Sequence, residues 1–345
     1  METYLPYCLD SLLVSNHQES LEVLIINDGS KDSTLAIAQK YAANYPKLFR
    51  VIDKRNGNYG SCINAALPLA TGKYVKILDA DDSFDTVNLD EFLELLSRID
   101  ADLVLSDFEI VDENRTCRHT IHYDFSIKGV VSFLDICDKS DFVDAIQMHA
   151  TTYRRELLLK MNYHQTEGIS YTDQQWIFTP MIRVRNVAYF AKFVYRYLVG
   201  REGQTMDSKI KKRSMEHAIK NSFGLVGDFE TYKNEIVSPK VKTYLYSRLA
   251  WYIKDIYVFY ITNYNKENAA TLRDYDQNLK ERSREIYDMI GSKEVSSFHG
   301  FSYIDYWRRH NLPTLLVNAL GRMYKVILDV KLRNNTQSDK LSIGN

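Results

Sequence analysis

Apolar positions recur with two periods along the first hundred residues. Residues 3–14 (TYLPYCLDSLLV) carry a stripe at Leu5, Cys8, Leu9 and Leu12, the spacing of one helix face. Residues 21–26 (LEVLII) form a short, nearly continuous apolar run, as a central parallel strand does. Asn27 to Ser30 reads as a loop, after which Asp32 or Ser33 caps a helix running to about Ala43. The pattern then predicts a strand over 49–53, a turn over 56–60, a helix over 61–70 and a strand over 73–78. A helix over 89–99 and a strand over 102–106 follow. Strands alternating with helices imply an α/β fold with a largely parallel sheet and helices on both faces. Right-handed crossovers bring the loops after such strands to one sheet edge, where ligands bind. From about residue 111 the pattern loosens. Residues 186–198 (NVAYFAKFVYRYL) alternate like an edge strand, and the chain reads as mainly helical from about 208. The expected division is 1–110, 111–206 and a helical region over 207–345.

Composition narrows the classes. The chain has 345 residues and a formal net charge of -1, so no global field recruits nucleic acid. Cys8, Cys62, Cys117 and Cys137 are scattered without metal-ligand spacing, which suits a reducing cytoplasm. The N-terminus lacks a secretory pattern, and no stretch reaches the roughly 18 apolar residues of a membrane span. The nearest approach, residues 243–264, is interrupted by Arg248, Lys254 and Asp255.

Chemistry concentrates where two strands end. YVKILDADD (74–82) closes an apolar strand with Asp79, Asp81 and Asp82. In an extended segment Asp79 and Asp81 point the same way and suit a hard divalent ion that keeps positions for water and phosphate. A solvated acidic turn, with Asp82 capping the next helix, reads equally from the spacing. Asp28 could accept from a ligand's N–H, with Gly29 admitting close backbone approach; a simple strand-to-helix turn has the same composition. The absence of G-x-G-x-x-G argues against a dinucleotide enzyme, and the absence of a Gly-rich, basic phosphate loop against nucleotidylyl transfer.

VLIINDGSKDST, NYGSCINAAL and ATGKYVKILDADD, in that order and spacing, resemble the family 2 glycosyltransferases of the GT-A fold. The resemblance spans residues 3 to about 110. It continues weakly through YRRELL (153–158), EGISYTDQQW (167–176) and VYRYLVGREGQT (194–205). It implies that Asp28 binds a base, typically uracil, and that Asn58, Gly60 and Asn64 shape the nucleotide pocket. It implies that Asp79 contacts ribose or the metal shell, that Asp81 ligates a Mn²⁺ or Mg²⁺ bridging the diphosphate, and that Asp173 is the catalytic base. The spacing T-D-Q-Q gives Asp173 a second reading, as part of a capping box between Thr172 and Gln175. His149 and Arg201 are candidate acceptor and phosphate contacts, each with an ordinary structural reading beside it. The sequence departs from the family at Asn27 and Thr172, where an acid is usual, and at Ile63, where Arg is frequent. The family also opens with a strand and a P-x-Y-N-like loop for which Met1 leaves no room. A truncated chain, a replacement segment or impaired catalysis are the expectations that follow, with two strand edges and apolar surface left bare.

The expected activity is metal-dependent inverting transfer from a nucleotide-diphosphate sugar, a UDP-sugar, to a hydroxyl of a glycan or lipid-linked acceptor in surface polysaccharide synthesis. The alternative is a non-catalytic subunit that docks on an active partner. Residues 312–333 (LPTLLVNALGRMYKVILDVKLR) form a wide apolar face with a stripe at Asn318, Arg322, Lys325, Asp329 and Arg333. With Trp307, Arg308 and Arg309 before it, that face suits a membrane interface at the cytoplasmic side, or equally a contact within the protein or a homo- or hetero-oligomer.

Overall fold

A computed structural model describes residues 1–143, 146–170, 172–200, 208–236, 238–298 and 300–311. Its residues group into two compact units, Met1–Ser247 and Arg248 onward.

The first unit begins with α1 (Leu5–Asp10), β1 (Val23–Asp28), α2 (Thr34–Asn44), β2 (Phe49–Lys54), α3 (Asn58–Ala66), β3 (Tyr74–Val75) and β4 (Ser83–Phe84). There follow α4 (Thr86–Arg98), β5 (Leu103–Val111), β6 (Cys117–Ile121), β7 (Val130–Ser132), α5 (Ser140–Val143) and β8 (Thr151–Arg154). Then come α6 (Arg155–Lys160), α7 (Asp173–Trp176), β9 (Asn186–Leu198), α8 (Ser208–Tyr232) and α9 (Pro239–Thr262), which runs on into the second unit.

Two sheets carry the strands. β1 and β2 pair in parallel, Val23 opposite Phe49 and Asp28 opposite Lys54. The larger sheet has the order β3-β8-β5-β9-β4, with β6 added beside β5 and β7 beside β9. β5 and β9 run parallel and the other pairs are antiparallel, so the sheet is mixed. β5 is its axis. Leu103, Val104, Leu105, Ser106, Asp107 and Phe108 are all buried, as expected of a strand flanked on both edges and covered on both faces. α4 lies against β9: Asp85 caps it by accepting from the Asn88 amide at 3.0 Å, and Leu89, Phe92 and Leu93 form its buried stripe.

Two expectations are corrected. LEVLII is not a central strand. Its ladder starts at Val23, extends through Asn27 and Asp28, and uses one edge only among the described residues; Val23, Leu24, Ile25 and Ile26 stay half-buried. The strand over 73–78 shortens to Tyr74 and Val75 on the sheet edge.

The second unit holds the end of α9, then α10 (Lys266–Arg282), α11 (Arg284–Gly291), a small hairpin of β10 (Ser297–Phe298) and β11 (Phe301–Ser302), and α12 (Tyr303–His310). Tyr257, Leu272, Tyr275, Leu279, Ile286, Ile290 and Trp307 form its core. The Arg308 guanidinium donates to Asp276 Oδ1 at 2.8 Å and lies 3.5 Å over the Tyr287 ring. Among the described residues no helix is long and apolar enough to cross a membrane. Residues 312–333 lie outside the described residues.

Candidate functional site

Asp28 ends β1 beside Lys54, the end of β2. Its Oδ1 accepts from Lys54 Nζ at 2.6 Å and from the Gly57 amide at 2.9 Å. Asn56 Nδ2 donates to the Asp28 carbonyl at 3.0 Å, while Gly29 takes φ +71°, a left-handed conformation that glycine adopts at little cost. The next rung explains Asn27: its amide donates to Asp53 Oδ1 at 2.7 Å, where a second carboxylate would meet like charge.

The three carboxylates that follow the third strand have separate fates. The backbone turns there, with the Asp82 amide donating to the Asp79 carbonyl at 3.0 Å, so the side-by-side geometry expected of an extended Asp79–Asp81 pair does not apply. Asp82 points inward at 1% exposure, accepting from Tyr195 Oη at 2.5 Å and from the Leu198 amide at 2.7 Å. Burial, reinforced by the charge of Asp79, pushes its carboxyl up to about 8. Capping of α4 falls to Asp85 instead. Tyr195 also steadies the turn by accepting from the Asp79 amide at 3.2 Å. Arg115, in the β5–β6 hairpin at φ +61°, donates from Nη1 to the Asp81 carbonyl at 3.0 Å and covers Tyr7 at 4.2 Å. It places a cation next to the acidic turn.

α3 begins at Asn58, earlier than its sequence suggests, with Asn58 at φ +63°. Gly60 is a point of close approach: a Cβ there would lie 2.3 Å from the Thr166 carbonyl. Asn64 clamps the same loop, donating to the Gln165 carbonyl at 2.9 Å and Glu167 Oε1 at 2.8 Å and accepting from the Gln165 amide at 2.8 Å. Its amide is therefore occupied by the 164–167 loop. From the other side, Gly224 of α8 meets Thr166 Oγ1 and the Gln175 amide. Gln175 Oε1 accepts from the Thr166 amide at 2.8 Å and Thr172 donates to Gln165 Oε1 at 2.9 Å, so the capping box does not form. A carboxylate in place of the buried Thr172 would face that amide oxygen.

This clamped loop leads into α7, where Asp173 sits half-buried at the first position. Two tyrosines tie it electrically to the acidic turn. Tyr59 is driven well above the ordinary phenol range by burial first, then by Asp79 and Asp173. Tyr197 is raised by burial, then by Asp82, Asp79, Asp81 and Asp173. Tyr59 also hydrogen-bonds Asp79 and reaches Met148 Sδ at 3.1 Å.

His149 lies under this region at 7% exposure, its ring 4.3 Å from that of Tyr197 and 4.8 Å from that of Tyr195. Its Nδ1 is buried without a partner, and burial, with Lys76 nearby, pulls the imidazole down to about 3. Lys76 donates to the His149 carbonyl at 2.6 Å, and burial lowers it to about 7. Arg201 lies outside the described residues. Lys54, Tyr59, Arg115 and Tyr195 did not stand out in the sequence. Only Lys54, just past the strand expected over 49–53, offered a signal.

Among the described residues no three His, Cys, Asp or Glu side chains gather to hold a metal alone. The donor chemistry nonetheless fits Mg²⁺ or Mn²⁺, which take one or two carboxylates and complete their shell with substrate phosphate and water.

Residues 2–160, from α1 to the end of α6, match the model of glycosyl transferase family 2. The uncharacterized glycosyltransferase YibD of Escherichia coli K12 is 26% identical over 196 residues, 55% of this chain and 56% of that protein. The putative glycosyltransferase EpsH of Bacillus subtilis 168 is 31% identical over 117 residues, 33% of each. The chain thus spans about half the length of the first relative and a third of the second. The crystal structure of S. aureus TarS 1–349 superposes with a TM-score of 0.66 over 94% of this chain and 88% of that one, at 18% identity. The same protein solved in complex with UDP gives 0.63 at 17% identity. The mixed sheet with its helices is a GT-A fold, and residues 2–160, a little under half of the chain, are similar to glycosyl transferase family 2.

Proposed function

We propose that the protein is a metal-dependent inverting glycosyltransferase. It moves a sugar from a UDP-sugar to a hydroxyl of a glycan or lipid-linked acceptor, at the cytoplasmic side of a membrane, in surface polysaccharide synthesis. The observation that carries this reading is Tyr197, raised by burial and then by the charges of Asp82, Asp79, Asp81 and Asp173, with Tyr59 beside it hydrogen-bonded to Asp79. The UDP complex of TarS supports the choice of nucleotide, and four unpaired cysteines fit the compartment.

Asp28 would take a ring N–H of the base, and Asn58 and Gly60 would shape the wall beside it. Asp79 and Asp81 would hold Mn²⁺ or Mg²⁺, which when bound neutralises charge on the departing diphosphate. Asp173 would accept the proton of the acceptor hydroxyl as its oxygen attacks the anomeric carbon. The C–O bond to the diphosphate breaks as the new bond forms, the configuration inverts, and no sugar–enzyme bond is needed. The half-buried β1, paired on one edge only among the described residues, favours a second reading, a non-catalytic subunit docked on an active partner.

Calorimetric titration of UDP with and without Mn²⁺ tests the proposal. The expected result is Mn²⁺-dependent binding that Asp81→Ala abolishes, with UDP release from one of a panel of UDP-sugars. Binding indifferent to both Mn²⁺ and the substitution would remove the metal role. A folded chain silent toward UDP and GDP would favour the subunit.

A further inference from the structure

The carboxylate of Asp28 is held by one oxygen. Oδ1 receives both Lys54 Nζ and the Gly57 amide, whereas among the described residues nothing donates to Oδ2. Lys54 itself is fixed. Its ammonium has three hydrogens, and Nζ donates to Asp28 Oδ1, to Ser61 Oγ at 2.8 Å and to the Arg55 carbonyl at 2.8 Å. Ser61 is anchored in turn by donating to the Asn58 carbonyl at 2.7 Å. Both members of the pair are mostly buried, at 22% and 18% side-chain exposure, so solvent screens the contact less than at an open surface. Ile63, where the family often has arginine, is buried and uncharged. The positive charge facing Asp28 therefore comes from β2.

We propose that Lys54 is a positioning residue that locks one oxygen of Asp28 and thereby aims the other at a ring N–H of the donor's base, so that the site selects uracil over cytosine. The inference rests on the nucleotide-sugar reading above. A carboxylate paired with an ammonium offers acceptors only. Uracil presents N3–H to such an oxygen and gains a charge-assisted hydrogen bond. Cytosine presents a bare N3 there, acceptor against acceptor, and leaves Oδ2 desolvated without a partner. Sites built to receive a donor reject analogues that lack it far more strongly than they reject a change in size. The Gly57 amide alone leaves the carboxylate free to turn about its Cβ–Cγ bond. The ammonium, tethered at three points, removes that freedom.

The test is the ratio of UDP to CDP affinity, measured by calorimetry on the full chain with Mn²⁺ present. The two ligands share ribose and diphosphate, so the ratio isolates reading of the base. The intact protein should favour UDP by at least about tenfold, the size of one charge-assisted hydrogen bond. Lys54→Met keeps the apolar stem and should bring the ratio close to one while leaving the CDP affinity in place. Lys54→Arg should retain most of the preference, and Ser61→Ala, which frees the ammonium at one tether, should lower it partway. If Lys54→Met does not fold, the Ser61→Ala and Lys54→Arg pair decides the matter by the same ratio. A preference that survives Lys54→Met, or UDP and CDP affinities that fall in parallel, would mean that Lys54 only braces the fold, and the proposal fails. An intact protein that binds UDP and CDP equally removes base reading but leaves the nucleotide-sugar reading standing. One that binds neither removes both.

Discussion

Burial decides the charge of His149. Tyr195, Tyr197 and Phe108 enclose its ring, and Lys76 is the cation beside it. The folded protein holds the imidazole neutral down to about pH 3, whereas the unfolded chain protonates it near the ordinary 6.5. Between those values the unfolded state binds the extra proton, so this residue makes stability fall as pH falls from 6.5 toward 3. The slope is at most about 1.4 kcal/mol per pH unit. His149→Phe should remove that share: urea unfolding at pH 7, 6, 5 and 4 should show the variant losing less stability than the parent on acidification. Parallel curves would mean that His149 titrates freely in the folded state. The same dependence on distant neighbours limits what the sequence conveys about Asp82. It is one of three look-alike carboxylates until Tyr195, more than a hundred positions later, donates to it and the Leu198 amide seals it in. Lys54 is similar. Its position at a strand end was legible, but its pairing with Asp28 depends on the β1–β2 register.

The element that delivers Asp173 is a loop pinched between two glycines. Gly60 of α3 approaches the backbone of Thr166, and Gly224 of α8 approaches its side chain, with a hypothetical Cβ 2.6 Å from Oγ1. Gly60→Ala and Gly224→Ala should each cost about 1–3 kcal/mol, the range of overpacking. They should differ in how they are relieved. Thr166→Ala deletes the hydroxyl that a Cβ at 224 would strike and should restore most of the stability of Gly224→Ala. It leaves the carbonyl that obstructs Gly60→Ala and should restore none. A double-mutant cycle by urea unfolding reads this directly; equal rescue of both would refute the pinch. Gly60 was legible as part of a motif, but Gly224 was not, because a glycine inside a long helix carries no mark of what packs on it. β1 and β5 show the corresponding limit for strands. LEVLII and LVLSDF are both short, mostly apolar runs, yet one is half-buried with a single partner among the described residues and the other is the axis of the larger sheet. Apolar continuity reports a demand for neighbours on both faces; it does not report which strands arrive at the edges.

At the scale of the whole molecule, the helical unit changes what a membrane test must look like. The sequence grouped Trp307, Arg308 and Arg309 with the amphipathic stretch 312–333 as one interfacial segment. The structure gives the first two to the core of the second unit. Trp307 is 3% exposed, with its ring 5.9 Å from that of Tyr257, and Arg308 donates to Asp276, to the Tyr287 carbonyl at 2.8 Å and to the Tyr257 hydroxyl at 3.1 Å. Removing them would unpack that unit and leave a misfolded control. A truncation after Asn311 keeps α12 whole, including the left-handed Asn311 that follows it. With a net charge of -1, the chain has no global attraction to an anionic surface. Lipid binding would therefore have to come from a local apolar face with basic residues, and 312–333 is the segment whose pattern offers one. The full chain should float with vesicles of anionic phospholipid, weaken as salt rises, and bind little to neutral vesicles, whereas the chain ending at Asn311 should stay in solution with its melting transition intact. Equal flotation of both would move the membrane contact elsewhere in the molecule. Flotation of neither would leave 312–333 to a protein contact, and light scattering of the two chains would then show whether that contact is with a second copy.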